Sequence, residues 1–147
     1  MEQQVKLLPY GVADFAMVIE QNLYYVDKTM FIPELEKQPR NLFFIRPRRF
    51  GKSIFLSMLY SYYDCTQSHK FQSLFGNLWI GQHPTPLQGK YQVLFLDFSQ
   101  ITGNIDKLET KFNSYLSINL EALRQGTKLH LIIMQFEGWE LKRMEEV

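Results

Sequence analysis

The residues best suited to chemistry are Gly51, Lys52 and Ser53, which end a basic stretch that starts at Arg46. In a phosphate-binding loop, glycine lets the backbone approach a phosphate, lysine contacts the terminal phosphates, and a serine hydroxyl binds Mg²⁺. We therefore predict that this stretch binds ATP and Mg²⁺, with Ser53 as the metal ligand. The predicted site comprises Arg46, Pro47, Arg48, Arg49, Phe50, Gly51, Lys52 and Ser53.

A strand and a helix are expected to position this loop. Residues 42–45 are continuously apolar, which is typical of a strand buried on both faces of a parallel sheet. From Ile54 to Tyr62 the apolar residues fall on one helical stripe. The usual loop has glycine where this chain has Arg46, so a basic surface turn between strand and helix is the alternative.

The rest of the chain alternates helices with strands. Strands that alternate with helices predict an α/β fold, here a P-loop NTPase-like parallel sheet with flanking helices. We predict helices over residues 13–22, 31–37 and 105–123, a short helix and turn over 71–80, and strands over 92–98 and 129–136.

Composition narrows the class of protein. The 147 residues are enough for one domain, and 46% hydrophobic with 21% charged residues is ordinary for a globular protein. A net charge of +1 gives no general attraction to nucleic acid or to a membrane. The single cysteine, Cys65, cannot form an internal disulfide. Without a signal peptide or a membrane-spanning stretch, we expect a cytoplasmic protein.

Three segments occur in a characteristic order: Leu8 to Gly11, Tyr25 to Thr29, and the loop from Arg46 to Ser53. This order resembles the AAA-ATPase-like family of predicted P-loop ATPases, in which arginine replaces the first loop glycine. Two later segments, residues 74–78 and 93–99, also resemble that family. The resemblance covers residues 7–123, and it implies an ATP site at the loop.

The resemblance also implies parts that this chain lacks. The family's second acidic element is an apolar strand that ends in Asp-Glu, and no such sequence occurs here. Asp97 ends an apolar run, but the corresponding family strand precedes the acidic one. Longer members carry a C-terminal domain like PD-(D/E)XK nucleases. We therefore expect a truncated chain, with the N-terminal part of an AAA-ATPase-like domain over residues 1–125 and an unrecognised tail over 126–147.

These observations leave three functions to compare. The first is binding of a nucleoside triphosphate at residues 46–53, with the missing acidic element arguing against efficient hydrolysis. The alternative is a catalytically silent fragment or interaction module, which self-associates or pairs an unpaired sheet edge with another chain. Nucleic-acid binding is less favoured, because three arginines on one turn also suit a single phosphate group.

Overall fold

The computed structural model describes residues 5–38, 50–98 and 106–121, the single positions 42, 44, 45, 47 and 101, and the backbone of residues 105 and 130–135. The chain forms two compact units, Met1–Lys90 and Tyr91–Val147. The first unit contains α1 (Phe15–Glu20), α2 (Ile32–Glu36), α3 (Lys52–Tyr63), α4 (Phe71–Phe75) and α5 (Trp79–Gln82), with 3₁₀ turns at Thr29–Phe31 and Cys65–Lys70.

Aromatic rings form the centre of the first unit. Phe15 of α1 stacks on Phe75 of α4 at a centroid distance of 5.0 Å, and Tyr62 of α3 meets Phe75 edge-on at 5.6 Å. All three side chains are fully buried. The Phe15 N–H also donates to the hydroxyl of Ser57 on α3, at 3.0 Å. Burying a large apolar side chain stabilises a fold by about 1.5–3 kcal/mol, so this packing fixes α3, the helix that follows the loop.

Hydrogen bonds join α2 to α3. The Tyr63 hydroxyl donates to Oε1 of Glu36 at 3.0 Å, and the Thr85 hydroxyl donates to the same oxygen at 2.7 Å. The Thr85 N–H donates to the Tyr62 hydroxyl at 2.8 Å. Burial raises the pKa of Tyr62, so this hydroxyl is protonated at neutral pH. The bonds hold α2 beside the last turn of α3.

The second unit is a strand–helix–strand arrangement. Strands β1 (Gln92–Asp97) and β2 (His130–Gln135) pair in parallel, with Gln92 opposite His130 and Asp97 opposite Gln135. Helix α6 (Leu108–Glu121) comes between them in the chain, after a 3₁₀ turn at Ile105–Lys107. Its apolar side packs on buried residues in and after β1; the residues in contact are Leu94, Leu96, Phe98 and Ile101 with Leu108, Tyr115 and Leu116.

The predicted P-loop NTPase-like parallel sheet is wrong. The described residues are mostly helical, and the sheet that they form contains only β1 and β2. Leu42, Phe44 and Ile45 lie outside any strand, and Ile45 is 91% exposed. Phe44 instead stacks on Phe55 of α3 at 4.8 Å. Phe44 therefore packs against a helix, and Leu42 and Ile45 are exposed instead of being buried between two layers.

Several local predictions are confirmed. The helix after the loop and both later strands occur within a few residues of the predicted bounds. The same is true of the helices predicted over residues 13–22, 31–37 and 105–123 and of the short helices over 71–80. The predicted division at residues 125 and 126 lies outside the described part of the chain. Among the helices that the structure describes, none has the length and apolar character needed to cross a membrane.

Candidate functional site

Gly51 forms the turn that starts α3. Its φ of 72° and ψ of 21° lie in the left-handed region, which glycine adopts without a steric penalty. Its carbonyl accepts a helical hydrogen bond from the Phe55 N–H at 3.0 Å. The first N–H groups of a helix lack carbonyl partners within the helix and form the positive end of its dipole. Because Gly51 has no side chain, a ligand can approach the backbone at the positive end of α3.

Lys52 adds a full positive charge at the same end. It is the first residue of α3, and the first turn of this helix holds no acidic residue. A cation at a helix N-terminus is unfavourable by about 0.3–1 kcal/mol. Within the described chain, the half-buried Lys52 makes no salt bridge. A bound anion would relieve this repulsion, so the arrangement suits a phosphate group.

Lys28 brings a second cation to the loop. Its Nζ lies 3.7 Å from the point that a Cβ atom would occupy on Gly51. Like Lys52, its side chain is half-buried, and none of the described acidic residues forms a salt bridge with it. Two lysine side chains thus lie near the start of α3, and neither forms a salt bridge with a described acidic residue.

Asp27 and Thr29 hold Lys28 in this position. One carboxylate oxygen of Asp27 accepts hydrogen bonds from the N–H and the hydroxyl of Thr29, at 2.8 and 2.7 Å. The other oxygen accepts from the Trp79 N–H at 2.8 Å. The Thr29 hydroxyl accepts from the Ile80 N–H at 3.2 Å. These bonds attach the segment around Lys28 to the start of α5, so the role of Asp27 here is structural.

Tyr25 anchors the same segment from its other end. Its ring meets the edge of Phe15 at a centroid distance of 5.3 Å. Burial, and then the charge of Asp27, raise the pKa of Tyr25 far above its usual value, although a hydrogen bond from the Lys28 backbone acts in the opposite direction. Tyr25 is therefore neutral at physiological pH and places no negative charge near Lys28.

A cavity of about 370 Å³ lies beside the loop. This volume is near the lower end of the range for small-molecule pockets, about 300–1,000 Å³. Its described lining combines Lys28, Lys52 and Gly51 with four phenylalanine rings. The cavity therefore joins a cationic region to an apolar aromatic surface.

The structure brings some of the predicted site residues to the cavity and not others. Phe50, Gly51 and Lys52 line the cavity. Pro47 is exposed, and Ser53 is the second residue of α3 and half-buried. Three predicted arginines, Arg46, Arg48 and Arg49, lie outside the described residues.

Acidic residues are few around the described part of the cavity. Glu34 is the one acid in its described lining, and it pairs with Lys37 at 2.8 Å. Asp97 ends β1 in the second unit, where its N–H donates to the Tyr115 hydroxyl at 2.9 Å. The described residues contain no group of three or more His, Cys, Asp and Glu side chains that could hold a metal ion.

The model of the AAA-ATPase-like family, described as predicted AAA-ATPase, matches residues 9–144. The chain belongs to this family. The match includes the segment around Lys28, the loop and both strands of the second unit. The family assignment made from the sequence is thus confirmed, and it extends over nearly the whole chain.

This AAA-ATPase-like chain is also similar to an uncharacterized protein in the vnfD 5′ region of Azotobacter chroococcum mcd 1. It is 35% identical over an alignment of 127 residues that covers 80% of this chain and 22% of that protein. The chain therefore spans about a fifth of the length of this relative. Comparison with solved structures finds no match.

Lys28 is the site residue that sequence reasoning did not identify. Its segment, Tyr25 to Thr29, contributed to the resemblance to the AAA-ATPase-like family, but no role followed from its spacing to the loop. The signal that could have indicated a role is Lys28 itself, an isolated cation between Asp27 and Thr29, two residues that commonly bond to nearby backbone. Its approach to Gly51 became visible only in three dimensions.

Gly51→Ala is expected to weaken phosphate binding more than it weakens the fold. A left-handed residue with a side chain costs about 1–2 kcal/mol, and the added methyl group would lie 3.7 Å from the Lys28 Nζ, where we expect the phosphate. Gly11→Ala is a matched control, because Gly11 has the same φ of 72° and open space around it. Urea unfolding and tripolyphosphate titration should show similar destabilisation in both variants and loss of binding only in Gly51→Ala. Equal binding by the two variants would contradict the site.

Proposed function

We propose that this chain binds the triphosphate group of a nucleotide, ATP in the first instance, at the start of α3. The observation that supports this most strongly is the approach of Lys28 to Gly51, next to Lys52 at the positive end of the helix. Phosphate oxygens would accept hydrogen bonds from backbone N–H groups and from both ammonium groups. The chain as a whole carries only +1, so the attraction would be local to this site.

Mg²⁺ would bind together with the nucleotide. This ion takes oxygen ligands and usually keeps several water molecules, with phosphate oxygens as further ligands. We propose that the Ser53 hydroxyl supplies one ligand, because serine in this position of a phosphate-binding loop does so. The proposal concerns binding and not hydrolysis, since Glu34, the acid in the described lining of the cavity, is paired with Lys37.

Lys28→Ala tests whether the second cation takes part. We expect Mg·ATP affinity to fall about tenfold, since loss of one half-buried charge–phosphate interaction is worth about 1.4 kcal/mol. The slope of log affinity against log salt concentration should also become shallower. Isothermal titration calorimetry at several salt concentrations measures both quantities.

Lys90→Ala is the control for this experiment, because Lys90 is exposed and is not among the described residues of the cavity. It removes the same charge from the chain but should leave the affinity within twofold of the wild type. If Lys28→Ala and Lys90→Ala bind Mg·ATP alike, Lys28 has no part in the site. If the wild type does not bind Mg·ATP, the proposed function itself is wrong.

A second candidate is association with another copy or another chain, without nucleotide. Exposed apolar residues favour it: Leu8 and Tyr10 are 75% and 99% exposed, and Ile118 and Leu120 on α6 are 71% and 50% exposed. Exposed apolar side chains of this kind are what an interaction site on either unit would use. Gel filtration at increasing protein concentration, with and without Mg·ATP, separates the candidates: association predicts a concentration-dependent size that Mg·ATP does not change.

A further inference from the structure

Two phenylalanine rings on the cavity are unusually exposed. Phe31 is 54% exposed and Phe50 is 61% exposed, and both line the same cavity. By contrast, Phe55 is buried, and Phe44 stacks on it at 4.8 Å. The first pair is therefore available to a ligand, whereas the second pair belongs to the packing of α3.

We infer that this cavity holds the base of the nucleotide, in contact with the Phe31 and Phe50 rings. The inference rests on the proposed binding of the triphosphate at Gly51 and Lys52. Both of those residues also line the cavity, so a ligand whose phosphates lie at the start of α3 would have its remaining part beside the rings. Any of the nucleobases can stack on an aromatic side chain, because every base has a π-face.

The charges of the cavity favour a nucleotide over an apolar occupant. An apolar peptide or lipid chain would cover Lys28 and Lys52 without supplying a negative charge, and an unpaired buried charge is strongly unfavourable. A nucleotide supplies both the anionic and the planar apolar part. Gln38, which also lines the cavity, carries an amide group that can bond to the polar edge of a base.

The test compares ATP with inorganic tripolyphosphate, which has the phosphates but no base. The wild type should bind ATP about tenfold more tightly than tripolyphosphate, as expected for one base–aromatic stack. Phe31→Ala should lose most of this difference, through weaker ATP binding, while its affinity for tripolyphosphate changes by less than twofold. Calorimetric titration of both ligands into both proteins measures the four affinities.

Further variants separate ring stacking from general packing. Phe31→Leu keeps an apolar side chain without a ring and should resemble Phe31→Ala, whereas Phe31→Trp should retain the preference for ATP. Tyr24→Ala removes a ring of similar exposure, 52%, that is not among the described cavity residues, and should change nothing. Equal binding of ATP and tripolyphosphate by the wild type would overturn the base site but leave the phosphate site standing. Failure to bind either ligand would overturn both.

Discussion

Replacing Lys52 with alanine is expected to weaken Mg·ATP binding by roughly 10- to 150-fold. Hydrogen bonds to charged groups contribute about 1.5–3 kcal/mol, and about 1.4 kcal/mol corresponds to a factor of ten in affinity. Lys52→Arg keeps the charge but replaces a compact ammonium group with a planar guanidinium, so it should recover only part of the affinity. Titration calorimetry with Mg·ATP and with tripolyphosphate measures the losses.

The same substitution should make the free protein slightly more stable. Lys52 places a cation at the positive end of α3, where no acidic residue of the first turn offsets it. Removing an unfavourable charge–dipole contact is worth about 0.3–1 kcal/mol, which raises the melting temperature by a few degrees in a unit of this size. In Lys52→Ala the affinity for Mg·ATP would then fall while the melting temperature rises. A joint loss of both would contradict the role proposed for Lys52, and Lys90→Ala should change neither.

Asp27→Ala should lower the free energy of unfolding more than any of the other substitutions proposed here. Three donors lose their acceptor: the N–H and hydroxyl of Thr29 and the N–H of Trp79. Breaking hydrogen bonds to a charged group and leaving donors unpaired costs about 2–4 kcal/mol. Urea denaturation followed by circular dichroism should show this decrease in the free energy of unfolding.

Asp27→Asn provides a graded comparison. Its amide keeps one oxygen, so the bonds with Thr29 can persist while the bond from the Trp79 N–H is lost, and we expect about half the destabilisation. Asp106→Ala removes an exposed acid in the other unit and should change stability by about 0.5 kcal/mol or less. A result for Asp27→Ala as small as that for Asp106→Ala would show that the contacts of Asp27 do not stabilise the fold.

Local patterns in the sequence predicted the helices well. The start of α3 could be predicted because Gly51 and the apolar stripe from Ile54 to Tyr62 are both short-range signals. The strand predicted at residues 42–45 was wrong because a continuous apolar run fits several environments. At Phe44, stacking on Phe55 determines the environment, and no local pattern distinguishes that contact from pairing in a sheet.

The candidate site could be predicted only in part. Gly51 and Lys52 were identified because the residue types that bind phosphate are adjacent in the sequence. Lys28 reaches Gly51 from 23 positions earlier, and the bonds that hold it there connect Asp27 and Thr29 to Trp79 and Ile80. Such contacts depend on how α3, α4 and α5 pack, which single-sequence patterns do not specify.

The bonds from Asp27 and Thr29 to the start of α5 also bear on the order of folding. They join positions separated by 52 and 51 residues, and the enclosed stretch contains the whole of α3. Local helices form quickly, whereas contacts between distant positions must first bring the ends of a long loop together. We therefore expect Lys28 to reach its final position during synthesis only after residue 80 has left the ribosome. The start of α3 can form earlier, but the second cation joins it late.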